Sequence, residues 1–343
     1  MANSDNQINI GDVWKDIDSI QINISDTWKD VAEASINIGD DWKTFWSAVS
    51  AGDRGVTVGG YSSTGYNQTI DYITISSTGN ATDFGDMYST GNYPTDCGHS
   101  NGTNGRGIFT GNSTGYEIEY ITILTTGNAS DFGNLTVWRT ARGGCSNNTN
   151  ERGVFGGGGG GTDVIDYVTI NSTGNATNFG DLTTGRYRIG TTSNSTNERG
   201  VFAGGETPSV INVMDYITIS TTGNATDFGN LTRTKSGLAG SSNHTNEKGT
   251  FAGMWTGAVS NEIDYITINS TGNASDFGNL LAANGMAGGT ENGTNERGII
   301  SGGYSGSVRY DVIQYITMNS NGDATDFGDL TLGRSSSAPL SNA

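Results

Sequence analysis

The chain is poor in the residues that staple, kink or charge a protein. Its 343 residues include two cysteines, three prolines and two histidines, and only 15% are charged. Cys97 and Cys145 are too few for a disulfide scaffold, and no Cys/His spacing has the form of a metal site. His99 and His244 fall in unrelated repeats with no convergent partners for catalysis or metal binding. They are expected to be polar residues near a central channel. No catalytic residue, metal or cofactor is therefore assigned. The apolar runs are only a few residues long, so no membrane-spanning helix is expected. The opening Met-Ala-Asn-Ser-Asp lacks the basic and apolar regions of a Sec signal, which leads us to expect a protein made in soluble form. Lys and Arg number 17 against 35 Asp and Glu, a net charge of −18. That balance argues against nucleic acid or an anionic membrane as partner.

What is abundant is glycine, 54 residues of it, interleaved with β-branched runs such as Ile-Thr-Ile. This alternation reads as many short strands joined by tight turns. Internal repeats organise those strands. The segment Ile-Asp-Tyr-Ile-Thr-Ile recurs with its tyrosine at Tyr72, Tyr120, Tyr167, Tyr216, Tyr265 and Tyr315, in steps of 47 to 50 residues. A phenylalanine follows each by 12 residues, at Phe84, Phe132, Phe179, Phe228, Phe277 and Phe327. A basic residue before glycine and an apolar strand completes the set: Arg54, Arg106, Arg152, Arg199, Lys248 and Arg297. Each unit reads as four strands; in the fourth they are 190–197, 200–204, 216–220 and 226–231. The Thr-Gly-Asn-Ala segment reads as a tight hairpin turn in which Gly and Asn take positive φ. The first unit lacks its inner strand, and residues 336–343 look like the missing copy. A ring of six blades closed by that strand leaves no sheet edge open.

An apolar strand ending in Gly-Gly (Val201 to Gly205), then a tyrosine, a spaced aromatic and a basic residue resembles the kelch motif. Here Phe stands where kelch repeats usually carry Trp, and the Gly-Gly pair is incomplete at Gly111 and Gly253. The fold class is accordingly all-β, a six-bladed kelch-like β-propeller over residues 54–343. The longer pattern Asp-Tyr-Ile-Thr-Ile-x-x-Thr-Gly-Asn-Ala-Thr-Asp-Phe-Gly also resembles repeats of tailed-bacteriophage structural and tail-fibre-like proteins. Residues 1–46 hold a different, 14-residue repeat, Ile-Asn-Ile-Gly-x-x-Trp-Lys, similar to short repeats of phage virion proteins. It places Trp14, Trp28 and Trp42 at one position in three small hairpins, with residues 47–53 as linker. Three isolated hairpins cannot bury three indoles, so these tryptophans are expected to pack against other chains.

Several local patterns have bland readings. The polyglycine 156–161 lacks the Lys-Ser/Thr and helix of a phosphate loop and reads as a flexible blade loop. Sequons such as Asn80-Ala81-Thr82 read as turn chemistry. Cys97 and Cys145 read as unpaired core residues of adjacent blades. The basic landmarks are expected to pair with the acid before each Phe, for example Arg199 with Asp227, in a structural ring of ion pairs. Blade three breaks that pattern, with Asn178 opposite Arg152.

The turns at one end of the blades are nearly identical, whereas the loops at the other end vary and collect Tyr, Trp and eight cations: Arg139, Arg142, Arg186, Arg188, Arg233, Lys235, Arg309 and Arg334. Variable loops on a rigid scaffold are where binding is usually placed. The expected ligand residues are Trp138, Arg186, Tyr187, Arg233, Trp255, Tyr304, Arg309 and Tyr310. The resemblance implies a phage virion surface protein, assembled in the host cytoplasm in multiple copies or as a homo-oligomer. Its N-terminal repeats would bind other virion proteins, and its propeller would meet a host-surface glycan or protein. A bacterial surface or secreted lectin-like propeller and a propeller glycosidase stay open as alternatives.

Overall fold

The computed structural model divides the chain into two compact units, Met1–Ser50 and Ala51–Ala343. It describes residues 52–89, 97–111, 116–140 and 142–343, together with the backbone of six strands between residues 7 and 47. Those six strands form three antiparallel pairs: Gln7–Ile10 with Val13–Asp16, Gln21–Ile24 with Thr27–Asp30, and Glu33–Ile38 with Asp41–Ser47. Trp14, Trp28 and Trp42 occupy equivalent register positions, opposite Asn9, Asn23 and Asn37. The expected burial of the three indoles lies outside the described residues.

The second unit is a six-bladed β-propeller, each blade a four-stranded antiparallel sheet. Blade four is representative: Gly190–Ser193 innermost, then Arg199–Ala203, Val213–Thr218 and Thr226–Asn230. The first strand is shorter than its sequence pattern suggests, because Ser195–Asn197 turns into a 3-10 helix. Asn194 Oδ1 accepts the Arg199 N–H at 2.6 Å and so fixes the return into the second strand. Blade one takes its inner strand from the far end of the chain. Ala338–Ser341 pairs with Arg54–Ser62, with Leu340 opposite Val56. Asn342 Oδ1 accepts the Arg54 N–H at 2.8 Å, repeating the bond that Asn194 makes. Each inner strand lies beside the inner strands of both neighbouring blades, so the ring is closed.

The repeated letters turn out to join blades. Each landmark Phe is buried and meets its blade's Tyr edge-on, with ring centroids 6.1–6.3 Å apart. The glycine after that Phe has positive φ, and a Cβ there would collide with the next blade's Thr-Gly-Asn-Ala turn; Gly85 against the Gly127 carbonyl is one example. That turn docks onto the outer strand of the preceding blade: Gly127 N–H donates to Phe84 O and Ala129 N–H to Asp86 O, both at 2.8 Å. The turn asparagine is therefore not a positive-φ hairpin residue. Asn224 has an ordinary φ, and its Oδ1 accepts the Asp181 N–H of the neighbouring blade at 3.1 Å. The sequon-like asparagines are latches between blades.

The expected ring of ion pairs does not form. The third strand lies between the two residues concerned, so Arg199 faces Thr218 while Asp227 faces Asp215. Arg199 instead covers the Tyr216 ring at 4.4 Å and donates to Ile268 O of the next blade at 3.1 Å. The same stacking recurs in all six blades, at 4.3–4.6 Å for the arginines and 5.1 Å for Lys248. A cation over a tyrosine face is worth about 0.5–2 kcal/mol, and six copies distribute that along the ring.

The polyglycine is likewise built in. Gly158 N–H donates to Arg186 O at 2.8 Å, and a Cβ on Gly158 would meet the Arg139 side chain at 2.9 Å. Close approach of two interblade loops, and not flexibility, explains the run. Cys97 and Cys145 are buried and form no disulfide, as expected. Burial pushes the Cys145 thiol up to about 12, which leaves it inert as a nucleophile. His99 sits on its inner strand, 4.7 Å from the Phe155 ring, and burial pushes its imidazole down to about 3, so it is neutral. His244 lies just beyond its inner strand, where it opens the 3-10 helix His244–Asn246.

Candidate functional site

The antiparallel order places the loops between second and third strands, and those between blades, at one end of the propeller. These are the variable loops. The structure sorts their cations into two groups with different work. Arg139, Arg142, Arg186, Lys235 and Arg334 are buried. Arg186, expected to bind ligand, is 0% exposed, and its Nη1 donates to Asp215 Oδ2 at 2.8 Å. Equivalent pairs are Arg139–Asp166, Lys235–Asp264 and Arg334–Asp71, at 2.7–2.8 Å. Each aspartate precedes the landmark tyrosine on the third strand and points between blades. It also accepts a threonine from the preceding blade, as Asp215 does from Thr183 Oγ1 at 2.5 Å. The guanidinium of Arg186 further donates to Phe202 O. Burial pulls Arg186 below its usual value, with Asp215 opposing, and takes Arg139 to about 10. These pairs rivet neighbouring blades and are closed to ligands.

Blade six supplies an internal control. Its third-strand residue is Gln314, and the residue equivalent to Arg186 is Asn284. Gln314 Oε1 accepts the Leu281 N–H at 2.9 Å, and Asn284 Nδ2 donates to Gly302 O at 2.7 Å. Acid and cation are thus lost together.

The second group remains at the surface. Trp255 ends the second strand of blade five, Tyr304 and Arg309 lie in the loop of blade six, and Tyr61 and Tyr66 face each other across the hairpin of blade one. They form one continuous stack. Trp255 and Tyr304 have centroids 5.1 Å apart; the Arg309 guanidinium lies 5.0 Å from Tyr304 and 4.3 Å from Tyr61; Tyr61 meets Tyr66 edge-on at 4.9 Å. Tyr304 is tied by backbone bridges to Gly285 and Arg309, and its hydroxyl donates to Gly306 O at 2.7 Å. Tyr66 is 44% exposed, and the other members are half-buried. The result is an amphipathic platform across blades five, six and one, with a cation fixed in its middle.

The remaining expected residues do not join it. Trp138 is 45% exposed in the loop before blade three. Arg233 pairs with Glu262 at 2.7 Å and with Ser260. Tyr187 and Arg188 converge on Glu206, where their bonds and that of Ser236 outweigh burial and hold the carboxyl below its usual range. Tyr310 is half-buried, and its backbone bonds Gly303 and Arg334. Tyr61 and Tyr66, absent from the expected set, carry one end of the platform; their Tyr-Ser-Ser-Thr-Gly-Tyr hairpin was the signal.

Among the described residues no group of His, Cys, Asp and Glu is arranged to hold a metal ion. Among the described residues no helix is long and apolar enough to cross a membrane. Comparison of the chain with protein-family models and with curated protein sequences yields no match.

Proposed function

We propose that the protein is a recognition module of a tailed-bacteriophage virion, with the variable face of the propeller presented to a host-surface glycan. The observation that carries this reading is the Trp255–Tyr304–Arg309–Tyr61–Tyr66 platform. Aromatic faces cover the apolar faces of sugar rings, and a fixed guanidinium offers paired donors to a carboxylate or phosphate. The opposite end of the blades spends its polar groups on latches, such as Glu247 accepting Asn194 and Asn197 at 2.9 and 2.5 Å. That leaves the variable face as the place for a partner. The repeat pattern that we read as resembling kelch and phage fibre sequences motivates a display role, and the N-terminal strand pairs with their repeated tryptophans suit assembly on a particle. The reading is of binding and not of catalysis.

The chain should co-purify with infectious particles through a density gradient, and a chain lacking residues 1–50 should be missing from them although its propeller folds. Absence of the full chain from particles would overturn the virion assignment and favour a surface or secreted lectin of the same face.

A further inference from the structure

The six inner strands surround a channel on the propeller axis, and two cavities meet in it at Ile189, Leu238, Ala287 and Ser337. The outer one, of about 330 Å³, opens on the variable face. The inner one, of about 100 Å³, runs toward the uniform face. There side chains from several blades meet. Asn148 Nδ2 donates to the Ala343 backbone oxygen at 3.0 Å and lies 3.3 Å from His244 Nδ1, while His244 Nε2 faces Glu291 at 3.4 Å. These residues belong to blades three, one, five and six, so their contacts bridge the axis.

Three features of the outer chamber point to a ligand. First, its described lining includes Arg142 and Arg188 and no carboxylate, in a chain where acids outnumber bases two to one. Arg188 keeps Glu206 as one partner at 2.9 Å, and a guanidinium has five donors. Second, Ser337, 4% exposed, lines both chambers with a hydroxyl that has no hydrogen-bond partner among the described residues. A buried hydroxyl without a partner is costly, and a ligand acceptor would satisfy it. Third, the rim is strained and preorganised. Arg188, Met286 and Ser336 all have φ between 51° and 57°, a left-handed conformation uncommon for such side chains, and they sit at equivalent places before their inner strands. Gly237 fills the fourth such place, and backbone bonds of 2.8–2.9 Å run Gly237 to Arg188, Met286 to Gly237 and Ser336 to Met286. The volume matches the lower range of small-ligand sites.

We infer that the outer chamber of the axial channel binds a single carboxylate-bearing sugar unit, held by Arg142, Arg188 and Ser337. The choice of a sugar rests on the recognition reading above. Binding of glucuronate and glucose to the purified full chain, followed by calorimetry and ligand-observed NMR, tests this. Glucuronate should bind at least roughly tenfold more tightly than glucose, as expected for one charge-assisted contact. Ala287→Phe, which fills the chamber, should abolish glucuronate binding with the melting temperature unchanged, and Arg188→Gln should weaken it roughly tenfold. Thr222→Arg, exposed in a uniform turn at the other end, should leave glucuronate affinity intact. Equal affinity for the two sugars, no glucuronate binding, or binding that survives Ala287→Phe would overturn the assignment. A propeller that fails here but loses cell binding with its platform would leave the recognition reading standing.

Discussion

Asp215→Ala should lower the unfolding free energy of the propeller by about 3–5 kcal/mol, the usual result of stranding a buried charge. The partner left behind, Arg186, is 0% exposed and keeps only carbonyl acceptors, Thr184 O at 3.0 Å and Phe202 O at 3.3 Å. The variant also removes the acceptor of Thr183, so the contact between blades three and four loses two of its polar links. The expected remedy is written in blade six. Arg186→Asn combined with Asp215→Gln copies Asn284 and Gln314, and it should recover most of the loss because no uncompensated charge remains. Urea unfolding of the three proteins measures this. A loss below about 1 kcal/mol for Asp215→Ala, the range of a surface pair, would show that the pair is solvated and not buried.

The second large effect concerns closure. A chain ending at residue 335 lacks the strand Ala338–Ser341, whose Ala338 and Leu340 are buried against Val58 and Val56. Its removal uncovers the edge of Arg54–Ser62 and the apolar cluster around Val56, Ile70 and Phe84. An exposed flat edge is a template for association. We expect the melting temperature to fall by about 10 °C or more, since several kcal/mol of packing is lost and each is worth roughly 2–4 °C in a domain of this size. Concentration-dependent aggregation should accompany the fall. A truncated protein that stays monomeric, with unchanged melting, would mean that the ring does not depend on its last strand.

How far these features were legible depends on what encodes them. The blades were readable because six copies of Tyr, Phe and Arg/Lys recur at fixed intervals, and the missing inner strand of blade one had an evident match at 336–343. Pairing was misread where two residues close in a hairpin pattern are separated by a third strand. Arg152 held the clue, since it is retained although Asn178 replaces its supposed acid; a tyrosine, present in all six blades, is the partner that never varies. The buried arginines were misread for a related reason. Composition alone cannot tell a cation in a loop from one that turns inward, but the joint replacement at Asn284 and Gln314 marks the pair. The platform needed the fold, because Trp255, Tyr304, Arg309, Tyr61 and Tyr66 come from three blades, the first and sixth of which lie at opposite ends of the chain.

Host-cell adsorption of the purified full chain, compared between Trp255→Ala/Tyr304→Ala and Thr222→Arg, bears most directly on the claim that the variable face is the recognition surface. Both substituted aromatics lie on the platform, and Thr222 is exposed in a uniform turn at the other end. With melting unchanged in both, the aromatic pair should reduce adsorption roughly tenfold or more, the scale of an interface hot spot, while Thr222→Arg leaves it intact. Adsorption that survives loss of the aromatics and falls with Thr222→Arg would place recognition on the opposite face and contradict the account.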